Sequence, residues 1–352
     1  MKKENNLKTE KLLVDSLFSN SIRNEKVNAL ESPLVDKLAG DASSRRYYRI
    51  SGSTKGNDES YVVCLDQSSV DKDLNDIPFT TTQKVLSDEG VRVPSILDMQ
   101  LNKGYILEED LGDQTLLKKL STLKSQKEEL FFYEKALTEL IKIHSVDVKK
   151  YPDQDFTKLA FDEEKLISEV QFTKKNLIEG LFAKKLSTSQ QDCLDQTFGQ
   201  ICHEIGEQKR VLTHRDFHSR NIMMKGDELI VIDFQDMRMG IPQYDLVSLL
   251  EDCYYKISRQ NKHTLKHLYW SEFLEKKFIQ NSFEEFSILY DKMAIQRTYK
   301  ALGSFAYIFR LRGDVRYLKY IGYAFEKLRD ILFRYKQYND LRVVLSEIYY
   351  DY

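Results

Sequence analysis

The chain has 352 residues, too many for one small core and suited to two lobes. Its 53 Lys and Arg against 55 Asp and Glu leave a net charge of -2, which excludes the electrostatic footprint of a nucleic-acid or anionic-membrane binder. The polar start Met1-Lys2-Lys3-Glu4 lacks a signal-peptide core, no apolar run approaches a membrane span, and Cys64, Cys193, Cys202 and Cys253 form no C-x-x-C pair. A cytoplasmic monomer with reduced thiols is expected, without nucleic-acid or membrane partners.

In chain order, residues 1 to about 31 read as a polar extension with a short amphipathic element, Leu12-Leu13-Val14 through Leu17-Phe18. Strand character follows. Tyr47-Tyr48-Arg49-Ile50 and Tyr61-Val62-Val63-Cys64-Leu65 flank a polar hairpin loop. Phe79 to Glu89 reads as a helix ended by Gly90, and residues 95–108 as a further strand pair. The small residues Gly40, Ser43 and Ser44 precede the first strand pair, where close backbone approach suits phosphate oxygens. Arg45, Arg46 and Arg49 come next; on a strand, Arg45 and Arg49 share one face and Arg46 takes the other. Glu108 and Asp110 mark the stretch where a connector between lobes touches a nucleobase through its backbone. The side chains of Glu108 and Glu109 are expected to be solvated.

Beyond Asp110 the period changes. Residues 114 to 149, 162 to 207 and 244 to 347 carry helical periodicity, in keeping with few breakers (14 Gly and 5 Pro). His144 lies among apolar helical residues and reads as a packing histidine. The order is a β-rich N-terminal nucleotide lobe, 1–109, then a larger helical lobe, 110–352, that carries the catalytic loop. This is an α+β chain with the two-lobed arrangement of the protein-kinase fold.

The chemistry concentrates in His214-Arg215-Asp216-Phe217-His218-Ser219-Arg220-Asn221, followed by Asp233-Phe234. H-x-D-x-x-x-x-N and then I-D-F is the layout of phosphoryl transfer: one carboxylate beside the attacking hydroxyl, then an amide and a second carboxylate for the metal. Ile222-Met223-Met224 and Leu229-Ile230-Val231-Ile232, joined by Lys225-Gly226-Asp227-Glu228, read as a hairpin. Such a hairpin brings Asn221 and Asp233 to one mouth, a donor pair that suits Mg²⁺ with nucleotide phosphates. Arg220 is a candidate to screen the transferring charge, with neutralisation of Asp216 as the second reading. His218, Asp236, Asp245, Glu251 and Asp252 are the candidate substrate contacts, with helix capping as a second reading for Asp245.

These residues resemble the aminoglycoside phosphotransferase-like branch of the protein-kinase fold. Within it they are most similar to bacterial anomeric N-acetylmuramate/N-acetylglucosamine kinases. The resemblance rests on Leu38-Ala39-Gly40-Asp41-Ala42-Ser43-Ser44-Arg45-Arg46-Tyr47, Leu107-Glu108-Glu109-Asp110-Leu111-Gly112, and the catalytic loop. It continues through Val231-Ile232-Asp233-Phe234-Gln235-Asp236, Tyr244-Asp245-Leu246-Val247-Ser248-Leu249-Leu250, Gln296-Arg297 and Lys300-Ala301. It implies ATP and Mg²⁺, with Asp216 as the proton acceptor, an amino-sugar hydroxyl as the acceptor, and a sugar 1-phosphate as the product. A cationic acceptor such as choline or an aminoglycoside would suit the same acidic cluster, and a nucleotide-binding regulator without turnover is the reading from another class. Two departures stand out. The third strand carries no Lys, so Arg46, slightly ahead of Arg49, is expected to supply the phosphate cation. Glu251 stands where the resemblance leads one to expect Arg; an acidic residue there is expected to change contacts near the substrate and to give no help to an acceptor that bears a carboxylate.

Overall fold

The computed structural model describes residues 2–38, 45–70 and 77–350, with backbone only for residues 2–8 and 69. Gly40, Ser43 and Ser44 lie outside the described residues. Two compact units form. The first comprises Met1–Asp88, Arg92–Gln114 and Met223–Gln235, and the second the remaining chain.

In the first unit, α1 (Lys2–Arg23) precedes β1 (Glu31–Lys37), β2 (Arg46–Thr54) and β3 (Asn57–Leu65). After α2 (Pro78–Asp88) come β4 (Ile96–Gln100) and β5 (Tyr105–Glu109). The five strands form one antiparallel sheet, ordered β1-β2-β3-β5-β4. β2 and β3 turn through Lys55 and Gly56, both at positive φ, the conformation that matches hairpin twist. Val14, Leu17, Phe18 and Ser21 of α1 recur at helical spacing and are buried. They pack with Tyr48, Ile50, Tyr61, Val63, Leu65, Tyr105 and Leu107 from one face of the sheet. The expected polar extension is therefore a long helix that closes the core of this unit. The opposite sheet face carries the alternate residues, with Arg49 paired to Val62 and Val62 to Glu108.

The hairpin β7 (Ile222–Lys225) and β8 (Glu228–Val231) forms as expected. Met223–Gln235 groups with the first unit, whereas a division at 109/110 assigns it to the helical part. The reason is local bonding: Val231 N–H donates to Arg92 O (2.8 Å), Met224 N–H donates to Gln114 O (2.8 Å), and Phe234 stacks on Phe79.

The second unit is helical: α3 (Leu116–Leu120), α4 (Gln126–His144), α5 (Asp155–Lys158), α6 (Glu163–Thr173), a π-helical turn (Lys174–Leu181) and α7 (Thr188–Gly206). Two short strands not read from the sequence, β6 (Val211–Thr213) and β9 (Arg238–Gly240), pair antiparallel. β6 delivers the chain into the catalytic loop. Then come α8 (Gln243–Leu250), α9 (Arg259–Glu275), α10 (Phe283–Arg312), α11 (Leu318–Leu332) and α12 (Asn339–Tyr350). α10 begins with a reciprocal Ser282/Glu285 capping box and ends at Gly313 in the left-handed conformation. α10 lies against α6 at Gly303, where an added Cβ would stand 2.6 Å from Thr173 Cα and closer still to Thr173 Oγ1. Gly303 is thus the point where two backbones meet, and it sets the position of the α10 residues one turn earlier. Gly303→Ala is expected to lower stability by about 1–3 kcal/mol through overpacking. An unchanged urea midpoint would show that the two helices separate at no cost.

Candidate active site

The catalytic loop is held from below by one carboxylate. Asp245, fully buried in the first turn of α8, accepts the backbone N–H of His214 and of Arg215 (2.9 Å to the latter). Its other contact is His144 Nε2 at 3.1 Å, and His144 Nδ1 meets the Tyr269 hydroxyl. The helix-cap reading of Asp245 is therefore corrected. Its oxygens are used on the loop that precedes Asp216, because the loop's N–H groups point into α8 and need an acceptor. His144 is the packing histidine expected, with the added task of orienting that carboxylate. Arg215 sits at φ +83°, a strained conformation for a non-glycine residue, and Asp245 binds its N–H directly.

Asp216 follows, its side chain 30% exposed. Three cations face it: Arg297 Nη2 at 3.4 Å, Lys300 Nζ at 3.7 Å and Arg215 Nε at 3.7 Å. Burial alone would raise its pKa, but Lys300, Arg297 and Arg215 outweigh this and hold the carboxyl well below the usual range. Arg297 is itself fixed, donating to Ser248 Oγ and to Arg215 O (3.0 Å). Burial pulls the Lys300 pKa down against the pull of Asp216. Arg297 and Lys300 are the functional residues the sequence reading left without a role. Their available signal was two cations one turn apart within the otherwise apolar stretch of a long helix.

A cavity opens beside Asp216, lined by His218, Ser248, Glu251, Asp252, Tyr254, Arg297, Lys300, Ser304 and Phe305. His218 has a buried Nδ1 without a partner among the described residues, and burial lowers its pKa, so the ring is neutral near pH 7. Its ring meets Tyr254 edge-on. Arg220 lies over the rings of Tyr254 (4.9 Å) and Tyr317 (5.9 Å), an aromatic seat for a guanidinium.

The acidic cluster is disposed differently from expectation. Asp252 is buried and accepts the Ser219 N–H and hydroxyl on one oxygen and the Tyr254 N–H on the other (2.7 Å). Glu251 is buried against Lys262 Nζ (2.8 Å), the Tyr290 hydroxyl (3.1 Å) and Lys327 Nζ (3.7 Å). Burial alone would raise its pKa, and Lys262 and Lys327 bring it below the usual range instead. Only Asp236 is exposed, and it pairs with Arg215 Nη1 at 3.0 Å. The charge of Glu251 is matched internally.

Of the metal candidates, Asn221 donates its amide N–H to Asp216 O at 3.0 Å. Its nitrogen makes this bond, and its oxygen is the atom a hard cation takes. In the first unit, Asp233 is exposed, sits at φ +64° and accepts from Gln235 Nε2 at 2.7 Å. Among the described residues no group of three or more His, Cys, Asp or Glu side chains is placed to hold a metal. An amide oxygen and a carboxylate are each the kind of oxygen donor that a hard cation takes.

The nucleotide candidates of the first unit separate by face. Arg46 Nε pairs with Glu10 of α1 at 3.3 Å, on the core side of the sheet. Arg46, slightly preferred as the phosphate cation, thus shares the face of the sheet that meets α1. Arg49, on the other face, is held by Asp110 (2.6 Å) and Asp113 (3.0 Å). Arg45 pairs with Asp66 at 2.9 Å and lies over the Phe79 ring. Glu109 is bound by Arg92 and by the Ser95 N–H (3.0 Å), so it too is paired and not merely solvated. Glu108 is the larger correction: it is only 6% exposed, and Oε1 has no partner among the described residues. Burial raises its pKa to about 8.

The folded protein thus keeps a proton on Glu108 that the unfolded chain has lost above its ordinary pKa. Stability from this group is present in acid and falls as pH rises from the ordinary carboxylate range through about 8. Glu108→Gln is expected to remove that slope, which amounts to about 2 kcal/mol between about pH 6 and about pH 9. Parallel urea midpoints for wild type and variant across that span would show that the carboxyl is ionised throughout.

Residues 35–269 match the model of the phosphotransferase enzyme family. The N-acetylmuramate/N-acetylglucosamine kinase of Pseudomonas aeruginosa is 31% identical over 88% of this chain and 87% of its own length. Among solved structures, aminoglycoside phosphotransferase APH(2'')-Ib, ADP-bound, covers 88% of this chain and 96% of its own at 14% identity and TM-score 0.55. The GDP and kanamycin complex of APH(2'')-IIia covers 91% and 99% at 15% identity and TM-score 0.58. These two share the fold, a five-stranded sheet followed by a helical part.

Proposed function

The chain belongs to the phosphotransferase enzyme family and uses ATP on a hydroxyl acceptor, and from that premise we propose its acceptor. It transfers the γ-phosphoryl group of ATP to the anomeric hydroxyl of an N-acetylated amino sugar, N-acetylmuramate or N-acetylglucosamine, giving the sugar 1-phosphate and ADP. The observation that carries this choice is the charge balance around Asp216. Its carboxylate faces Arg297, Lys300 and Arg215, Glu251 is matched by Lys262 and Lys327, and Asp252 is consumed by N–H and O–H donors. A choline or aminoglycoside acceptor needs surplus negative charge, and this cavity has none. A neutral or acidic sugar meets polar groups and aromatic edges instead, with the His218 Nδ1, Ser304 and Tyr254 on the cavity wall.

In this reading Asp216 orients the anomeric hydroxyl and takes its proton as the O–P bond forms. A carboxylate so depressed is a weak base, which a loose transition state tolerates because the proton leaves late. Position matters more than basicity, and the Asp245 clamp on His214 and Arg215 supplies position. Arg220, seated on Tyr254 and Tyr317, and the α10 pair Arg297 and Lys300 are the cations available to the migrating charge. Asn221 and Asp233 would hold Mg²⁺, which would supply positive charge to neutralise the nucleotide phosphates.

The decisive experiment is a panel of free amino sugars, choline, ethanolamine and aminoglycosides, assayed for ATP-dependent phosphorylation with product position read by ³¹P NMR. Transfer to the sugar's anomeric oxygen is expected, and transfer only to the cationic acceptors would overturn the assignment. Asp216→Asn should lower kcat by about three decades or more while leaving nucleotide affinity within a few-fold. Near-normal turnover would remove Asp216 from the proton path.

For the metal, Asp233→Ala should abolish the magnesium dependence of nucleotide binding measured calorimetrically. Asn221→Ala should weaken it less, since a neutral amide is the poorer ligand. The reverse order of effects would contradict the assignment.

A further inference from the structure

Glu108 is a buried acid of the first unit's sheet that the proposed chemistry does not use. It sits on β5 in register with Val62 and, through it, with Arg49. That places it on the face opposite the α1 core, with Tyr47 and Cys64 as its neighbours in charge. Oε1 is buried and has no partner among the described residues. A buried carboxyl oxygen left without a partner costs stability unless a ligand satisfies it. The phosphate-directed candidate Arg49 lies on the same face, and the next residues, Glu109 to Leu111, are the stretch read as the nucleobase connector.

We propose that Glu108 is a specificity-determining residue that reads the nucleobase, its carboxyl in the acid form pairing with the adjacent donor and acceptor of adenine. This rests on the phosphotransferase reading and deepens it, because the fold alone does not choose the base: related structures carry ADP in one case and GDP in another. The chemistry discriminates sharply. Adenine offers an amino donor at N6 beside an acceptor at N7, which a carboxylic acid matches with its carbonyl and its hydroxyl. Guanine offers two acceptors, O6 and N7, on the same edge, so one of them faces a carboxyl oxygen with no hydrogen between. Once ionised, Glu108 loses its donor and the match to adenine with it.

The groups that set its ionisation are few. Burial is the dominant influence, Arg45 opposes it and Glu109 adds to it, while Tyr47 and Cys64 are themselves pushed up by burial and stay neutral. The acid form is therefore the prevailing one near pH 7.

The test is direct binding of ADP and GDP to the full chain, by calorimetry with magnesium, between about pH 6.5 and about pH 8.8. The ratio of the two affinities cancels the ionisation of the phosphates. Wild type should prefer ADP by roughly 3- to 10-fold more at the acid end than at the alkaline end. Glu108→Gln, whose amide offers a permanent donor and acceptor, should keep the ADP preference at every pH. Glu108→Leu should lower the preference at acid pH to that of alkaline wild type. A wild-type ratio that does not move with pH, or a Gln variant that follows the wild-type curve, would overturn the proposal while leaving the phosphotransferase reading intact. Failure of wild type to bind either nucleotide would overturn both.

Discussion

The second unit depends on the Asp245 carboxylate. A loop that must present Asp216 in one orientation has N–H groups with no strand or helix to satisfy them. Left unbonded in the interior they would cost more than the loop's own contacts return. Asp245 takes two of them, His144 fixes Asp245, and Tyr269 fixes His144. This row of buried polar groups runs from α9 through α4 and α8 to the loop. It explains why Arg215 tolerates positive φ, since the bond that holds the strained residue starts at its own N–H.

The same unit shows how a cavity can be rich in acids and still carry no surplus charge. Asp216, Glu251 and Asp252 all line it. Each has a different neutraliser: a set of cations led by those of α10 for Asp216, lysines of α9 and α11 for Glu251, and backbone and hydroxyl donors for Asp252. A buried carboxylate is stable only when so matched. Each match also lowers its capacity to attract a cationic ligand.

Much of the frame was legible in order. The β7/β8 hairpin announced itself through strand formers around a Gly-containing turn, and the helical part through its period. The strands β6 and β9 were not legible, because three residues cannot show a period of two. α1 was underestimated because its apolar positions occupy only one stripe of a polar sequence, and the burying surface lies in strands far along the chain. Within the site, the catalytic loop was legible from spacing alone. Arg297 and Lys300 were not, since about eighty residues separate them from Asp216 and only the packing of α10 at Gly303 brings them near. The face that Arg46 takes was not legible for the opposite reason: strand alternation was read correctly, but nothing local says which face meets α1.

Two carboxyl groups define the chemical character of the two units, and their environments drive them apart. Asp216 is surrounded by cations and stays ionised well into acid. Glu108 is buried with Arg45 opposing that burial, and keeps its proton to about pH 8. The residue types differ by one methylene, so neither behaviour is intrinsic. It is the number of cations within reach, set against the depth of burial, that decides whether a carboxyl accepts a proton or offers one. Asp216 is on a loop at a cavity wall, where long cationic side chains from a neighbouring helix can reach it. Glu108 is buried on an interior strand of the sheet, in register with Val62, and Arg45 is the cation set against that burial. The two environments therefore favour the ionised form of Asp216 and the acid form of Glu108.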